Sequence, residues 1–352
     1  MSFPTTGAID CDIHPAVPGM RTLLPYLDDH WREQVQVRGI DGLDPSSFPV
    51  NIPANGRPGS RAGEGKPGAD LALVQQQALG PFHTRYAISN CLYGASSVHN
   101  VDLAAALSRA INDWLAAEWL DREPRLRGSI VVPIQDVDLA VEEIERRAAD
   151  KRFVQILLPS KTTEPMGRKR YWPIFAAACA ANLPVAVHVN SVGGGYASTA
   201  GGWPSYYLQD HHLNVHSFQA QIASLVLEGV FEHHPSLRMV MIEGGFAWLP
   251  MLAWRLDKAW ERMRDEVPEC RRPPSEYIRE HLWFTTQPME EPEQPEHLRD
   301  TIDWIGWDKI MFATDYPHWD YDDPRTAFPI RLSNAEHSTV FRDNACALYG
   351  LA

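Results

Sequence analysis

Three polar side chains alternate through the otherwise apolar stretch AIDCDIH (8–14): Asp10, Asp12 and His14. Residues two apart on a strand point the same way. A strand here projects Asp12 and His14 together from its C-terminal end, where a metal ion could sit between a carboxylate and an imidazole. Three more apolar runs carry ionisable residues near their ends. PVAVHVN (184–190) places His188 opposite a valine face of Val185, Val187 and Val189. RMVMIEG (238–244) places Glu243 on the face of Met239 and Met241, and KIMFATDYP (309–317) places Asp315 on the face of Met311 and Ala313. A lone DxH, or one strand histidine, is commonly a hydrogen-bonded core feature. Several ionisable groups at the ends of apolar strands are another matter, because burying them is costly unless they are paired or metal-bound. Two imidazoles with two or three carboxylates and no thiolate form a mixed N/O donor set. That set suits Zn²⁺ or Mn²⁺, with Fe²⁺ also compatible, and leaves positions open for water or substrate.

Further groups could move protons. His318 and Asp320 follow Asp315 in TDYPHWD, and His211, His212 and His216 cluster in HHLNVH. Histidine titrates near neutral pH, so His216 and His318 join Asp315 and Glu243 as acid/base candidates. The alternative for HHLNVH is helix capping and hydrogen bonding to Glu243. Trp203, Tyr206, Tyr207 and Trp319 could wall an apolar or aromatic substrate pocket, or serve loop packing or a dimer contact. His233 and His234 precede the Glu243 strand and read as structural residues at its far end; Arg255 and Asp257 read as a structural ion pair or as groups orienting the strand end.

The elements that must position these residues recur along the chain. Strand-like runs appear at 8–14, 86–92, 126–133, 153–159, 184–190, 238–244, 282–287 and 309–317. Most connections contain a helical pattern, around 71–79, 100–120, 136–149, 173–181, 216–231, 246–263, 295–305 and 336–349. Strands alternating with helices imply parallel pairing with crossovers. Eight units predict an α/β fold of the (β/α)8 TIM-barrel type, a single domain over all 352 residues. No GxGxxG follows the first strand, which counts against a dinucleotide fold. Two connections are long. Residues 39–69 are a Gly/Pro-rich insertion that cannot bury a core by itself and reads as a lid, an arm or a disordered loop; residues 191–214 are the second. Both lie after strands, hence over the C-terminal mouth where such barrels keep their active sites.

A net charge of −13 disfavours nucleic acid and anionic membrane as partners. No apolar run approaches the ~20 residues that span a bilayer, and the start, MSFPTTGAID, lacks the basic and apolar regions of a signal peptide. The five cysteines are odd in number, widely spaced and free of CxxC pairs. They read as reduced thiols in a cytoplasmic protein.

IDCDIH, AVHVN, HHPSLRMVMIEGGFAWLPMLAWRLD, FATDYPH and FRDNACALYG occur in this order over nearly the whole chain. In that order and spacing the sequence resembles the amidohydrolase-related family of metal-dependent barrels, in the branch that contains aminocarboxymuconate semialdehyde decarboxylase and the resorcylate-type decarboxylases. The resemblance implies one divalent metal ion held by Asp12, His14, His188 and Asp315, with Asp315 also a proton carrier. It implies a small aromatic or unsaturated carboxylic acid as substrate, and a homodimer by analogy. Nonoxidative decarboxylation is slightly favoured over hydrolysis of a C–N or C–O bond in an amide, lactone or ester. A non-catalytic barrel serving as a binding subunit is the distant alternative. One position departs from the branch: where it commonly carries a catalytic histidine in an HGG-like motif, this chain reads EGG at Glu243. A carboxylate beside a divalent cation stays ionised, so Glu243 would be a ligand, a base or a partner for a nearby histidine.

Overall fold

The computed structural model describes residues 7–43, 56–189 and 201–352. Eight strands form one sheet in sequence order: β1 (Ile9–Ile13), β2 (Tyr86–Ser89), β3 (Leu126–Val131), β4 (Phe153–Pro159), β5 (Val185–His188), β6 (Met239–Ile242), β7 (Leu282–Thr285) and β8 (Ile310–Met311). Every neighbouring pair from β1–β2 to β7–β8 is parallel. The segment after β8 closes the ring: Cys11 N donates to Phe312 O at 2.9 Å and His14 N to Tyr316 O at 2.8 Å. The expected (β/α)8 barrel is the fold.

Local chemistry accounts for the crossovers. Asn100 caps the helix Val101–Leu115 by accepting from Leu103 N, and Asp136 caps Val137–Arg147 by accepting from Leu139 N. Prolines open the helices Trp172–Ala181, Leu249–Met263, Pro274–His281 and Pro295–Ile305 in their first turns, where a missing N–H costs nothing. Asp257 does not pair with Arg255; its Oδ1 accepts from Ser275 N at 2.9 Å and so caps the following helix. His233 stays far from the mouth, bonded to Glu269 at 3.1 Å and packed on Trp172.

β5 and β6 run in register, His188 opposite Ile242. One detail of the strand reading is corrected by the structure. β6 stops at Ile242 and β8 at Met311, so pleat alternation extends to neither Glu243 nor Asp315. Both residues instead take left-handed backbone, at φ 58° and φ 59°. That conformation disfavours a Cβ by about 1–2 kcal/mol. Two non-glycine residues held there, just past β6 and β8 on either side of β7, mark a place where the surroundings impose the backbone.

The second half of the 39–69 insertion is packed over the mouth. Arg57 N donates to Pro317 O at 2.8 Å, and Gly56 bridges to His318. Gly68 lies so close to the His14 carbonyl that a Cβ would stand 2.3 Å from it. Residues 44–55 lie outside the described residues.

Candidate metal centre

The C-terminal ends of β1, β5, β6 and β8 bring Asp12, His14, His188, Glu243 and Asp315 together. His14 Nε2 lies 2.8 Å from Asp315 Oδ1 and 3.2 Å from Asp12 Oδ1. His188 Nε2 lies 3.3 Å from Asp12 Oδ2 and 3.4 Å from Glu243 Oε2. His318 joins from the β8 loop, its Nδ1 2.6 Å from Asp315 Oδ1 and its ring stacked on His14 at 4.4 Å. Asp12, His14, His188 and Asp315 are buried.

The rings are aimed by their other nitrogens. His14 Nδ1 meets the Asn90 carbonyl at 2.9 Å, and His188 Nδ1 meets the Val189 carbonyl. A carbonyl can only accept, so both Nδ1 atoms carry hydrogen. The Nε2 lone pairs of two neutral rings would then point straight at carboxylates. Lone pair against anion is repulsive, and His14 Nε2 is buried without an aligned hydrogen-bond partner. Only a cation in the cluster relieves this: a proton on the rings, or a metal ion.

Charge tells the same story. Burial opposes a charged His14, but Asp12 and Asp315 overcome it and raise its pKa well above the ordinary value. Burial likewise opposes the Asp12 charge; His14 and His188 overcome it and hold the carboxyl below its usual range. Asp315 is lowered against its burial by His318 and His14. Glu243 goes the other way, raised well above the usual carboxylate range by burial and by the like charges of Asp315, Asp12 and Asp320. A divalent cation would oppose that rise.

Two sets of four could each hold an ion: Asp12, His14, His188 and Glu243, or His14, Glu243, Asp315 and His318. The donor chemistry, imidazole with carboxylate, fits zinc, manganese or ferrous iron alike, and the orphaned His14 Nε2 supplies the vacancy in the bonding.

Around this cluster stand residues the strand patterns did not single out. Asn90 Nδ2 donates to Asp12 Oδ1 at 2.8 Å. Gln287 Nε2 donates to Asp315 Oδ2 at 3.3 Å and to Asp320 Oδ2 at 3.1 Å. Glu290 Oε1 accepts from Phe246 N and Ala247 N at 2.9 and 3.0 Å, holding the loop that follows Glu243. A polar residue just past an apolar strand was the available signal for Asn90 and Gln287.

Other candidates sort by position. His211 pairs with Asp320 at 2.9 Å and so reaches the edge of the cluster. His216 does not: the helix Tyr207–Leu213 ends before it, and it lies exposed on the next helix, Val215–Leu227. Trp203 and Tyr206 are largely exposed, at 64% and 71%. Trp319 donates to Tyr207 Oη at 2.9 Å, so the inward-facing tyrosine of that helix is Tyr207 rather than Tyr206.

The amidohydrolase family model matches residues 9–351. The chain belongs to this family. Among curated relatives, gamma-resorcylate decarboxylase of Rhodococcus jostii (strain RHA1) is 28% identical over 261 residues, covering 70% of this chain and 78% of the relative. Among solved structures, 2,6-dihydroxybenzoate decarboxylase complexed with 2,6-dihydroxybenzoate superposes with a TM-score of 0.70 at 21% identity, covering 98% of this chain and 100% of the other. Dihydroxybenzoic acid decarboxylase of Polaromonas sp. JS666, with bound manganese and the inhibitor 2-nitroresorcinol, gives a TM-score of 0.68 at 21% identity, covering 98% and 97%. These structural likenesses are likenesses of fold.

Proposed function

We propose that this amidohydrolase is a metal-dependent decarboxylase of a small hydroxylated aromatic acid. The observation that carries the reading is the convergence of two carbonyl-anchored imidazoles and three carboxylates at the barrel mouth, with His14 Nε2 buried and unbonded. The decarboxylase relatives supply the reaction class.

Asp12, His14 and His188 would hold the ion, with Asp315 and Glu243 completing the set. A divalent ion there supplies Lewis-acid polarisation and a fixed point for a substrate carboxylate and its neighbouring oxygen. Manganese is favoured over zinc by the metal in the Polaromonas decarboxylase. Asp315 and His318, bonded to each other, are the pair that holds and delivers a proton. In the reaction the ring–carboxylate C–C bond breaks, carbon dioxide leaves, and the ring carbon keeps the electron pair that takes up that proton. Glu243, whose Oε2 lies 3.4 Å from His188 Nε2, would add a carboxylate oxygen to the donor set and negative charge to the ion's surroundings. Gln287 ties Asp315 to Asp320 and keeps its carboxylate in one orientation. Trp319 and Tyr207 form an aromatic wall at the mouth, and the packed part of the 39–69 insertion covers it as a lid on the single barrel domain.

All five cysteines are free, which supports a reducing compartment such as the cytoplasm. Among the described residues no helix is long and apolar enough to cross a membrane. Met251 and Trp254 are exposed together on one helix, at 55% and 58%, a surface that fits the homodimer expected by analogy.

The test is turnover of metal-loaded protein on two panels: hydroxybenzoates, and aryl amides, esters and lactones. Carbon dioxide release from a hydroxybenzoate is the expected result. Turnover of a lactone or amide with no carbon dioxide from any acid would replace this reading with hydrolysis. Purified protein that takes up no stoichiometric divalent ion would favour the non-catalytic barrel.

A further inference from the structure

Lys161 is the only lysine or arginine that is buried among the described residues. It follows β4 by two positions. Gln155 of β4 points into the barrel, where it bonds Asn90 and Ser129, and Pro159 lies in register with His188. The inward positions of β4 are thus 155, 157 and 159, and Lys161 follows the C-terminal end of that strand, one residue past Ser160. The backbone is pinned there: Ser160 N donates to His188 O at 2.8 Å, and Ser160 O accepts from Gln221 Nε2 at 2.9 Å.

The Lys161 ammonium has no hydrogen bond or ion pair with any described residue. Burial lowers its pKa from the usual lysine value, and the charge of Asp210 opposes that lowering. Asp210 is itself buried, and its Oδ2 has no hydrogen-bond partner. The two groups lie within Coulombic reach of one another and form no salt bridge. Asp210 belongs to the helix Tyr207–Leu213, which also brings His211 to Asp320 and Tyr207 to Trp319 at the mouth.

A lysine buried at 9% exposure without a hydrogen bond or salt bridge to its ammonium is costly. An acid approaching this mouth also meets Asp12, Glu243, Asp315 and Asp320, more negative charge than one divalent ion cancels. A fixed cation at the rim answers both needs. Resting on the decarboxylase reading of the site, we propose that Lys161 is a substrate-binding residue whose ammonium receives a carboxylate oxygen of the aromatic acid, with Asp210 as the counter-charge that keeps it protonated when the site is empty of substrate.

The test is calorimetric binding to manganese-loaded protein, with 2,6-dihydroxybenzoate and resorcinol, the same ring without the carboxylate, as probes. Lys161→Met is expected to weaken 2,6-dihydroxybenzoate about tenfold or more, as for a charged hydrogen bond, and to change resorcinol less than about twofold. Lys161→Arg, which keeps the charge, is expected to retain most of the acid affinity. Lys161→Gln replaces the Met variant if that one does not fold, and metal content is checked in each. Equal weakening of both probes, unchanged acid affinity in the neutral variant, or no binding of the acid by wild type would overturn the proposal. Lys161-dependent acid binding without carbon dioxide release would end the decarboxylase reading and leave this inference standing. Carbon dioxide release by a wild type whose acid affinity survives Lys161→Met would do the reverse.

Discussion

Two polar layers are stacked inside the barrel, and they are finished differently. In the lower one, Ser129 Oγ and Gln155 Nε2 both donate to Asn90 Oδ1, at 2.5 and 3.1 Å, and Tyr349 Oη donates to Gln155 Oε1 at 2.9 Å. These side chains are neutral and bonded to one another. In the upper one, carboxylates crowd two imidazole nitrogens, and His14 Nε2 is left without a bond. Asn90 belongs to both, since its Nδ2 reaches up to Asp12. A saturated network is scaffold, whereas a buried network short of positive charge is waiting for a ligand. Burial alone does not separate the two layers; hydrogen-bond accounting does.

This contrast can be broken by substitution. The largest effect belongs to the upper layer. His188→Ala or Asp315→Asn should lower the decarboxylation rate by at least about 10³-fold, the scale of losing a ligand or the proton carrier. Steady-state rates on a hydroxybenzoate check this, and near-wild-type turnover in either variant would remove its assigned role. Glu243→Gln should cost about 10²-fold with the circular dichroism spectrum intact; full activity would make Glu243 structural.

Metal affinity should depend on pH with a definite sign. Without metal, His14 is protonated up to a pKa well above the ordinary value, and metal must displace that proton. Affinity should therefore rise about tenfold per pH unit below that pKa and flatten above it. Competition with a chelator across the neutral range measures the slope. A flat profile would mean that no imidazole proton is displaced. The smallest functional effect belongs to the lower layer. Gln155→Leu leaves Tyr349 Oη without its acceptor and should cost about 1–3 kcal/mol of stability, read by urea unfolding, with metal affinity nearly unchanged. A large loss of metal affinity would mean that the layers act as one.

Much of this was legible in the sequence where side-chain period and burial agree. The run Phe153–Pro159 and the helix Pro295–Ile305 appear with their expected bounds, because an apolar strand and a Pro-initiated amphipathic helix each carry a strong pattern. The helix Asp29–Arg38 carries no comparable apolar pattern, since only Val35 of its residues is buried. The closing helix is interrupted by a π-helical stretch at Thr339–Asp343, which periodicity does not reveal. In the site, Asp12, His14 and His188 follow from strand alternation. Glu243 and Asp315 reach the cluster through left-handed turns that no two-residue period describes. Asn90 and Gln287 carry no charge and resemble any polar residue at a strand end, and Lys161 gains meaning only from its burial. His211 and His216 sit in one histidine-rich stretch, and only the helix break between them decides which one reaches Asp320.

The central claim is that the upper layer is short of a cation and takes a divalent metal. Anomalous diffraction at the manganese edge, from crystals grown with that ion, tests it directly. The account predicts one strong peak within bonding distance of His14 Nε2, His188 Nε2 and an Asp12 oxygen. It is contradicted if that position is empty and His14 Nε2 is instead found hydrogen-bonded to Asp315.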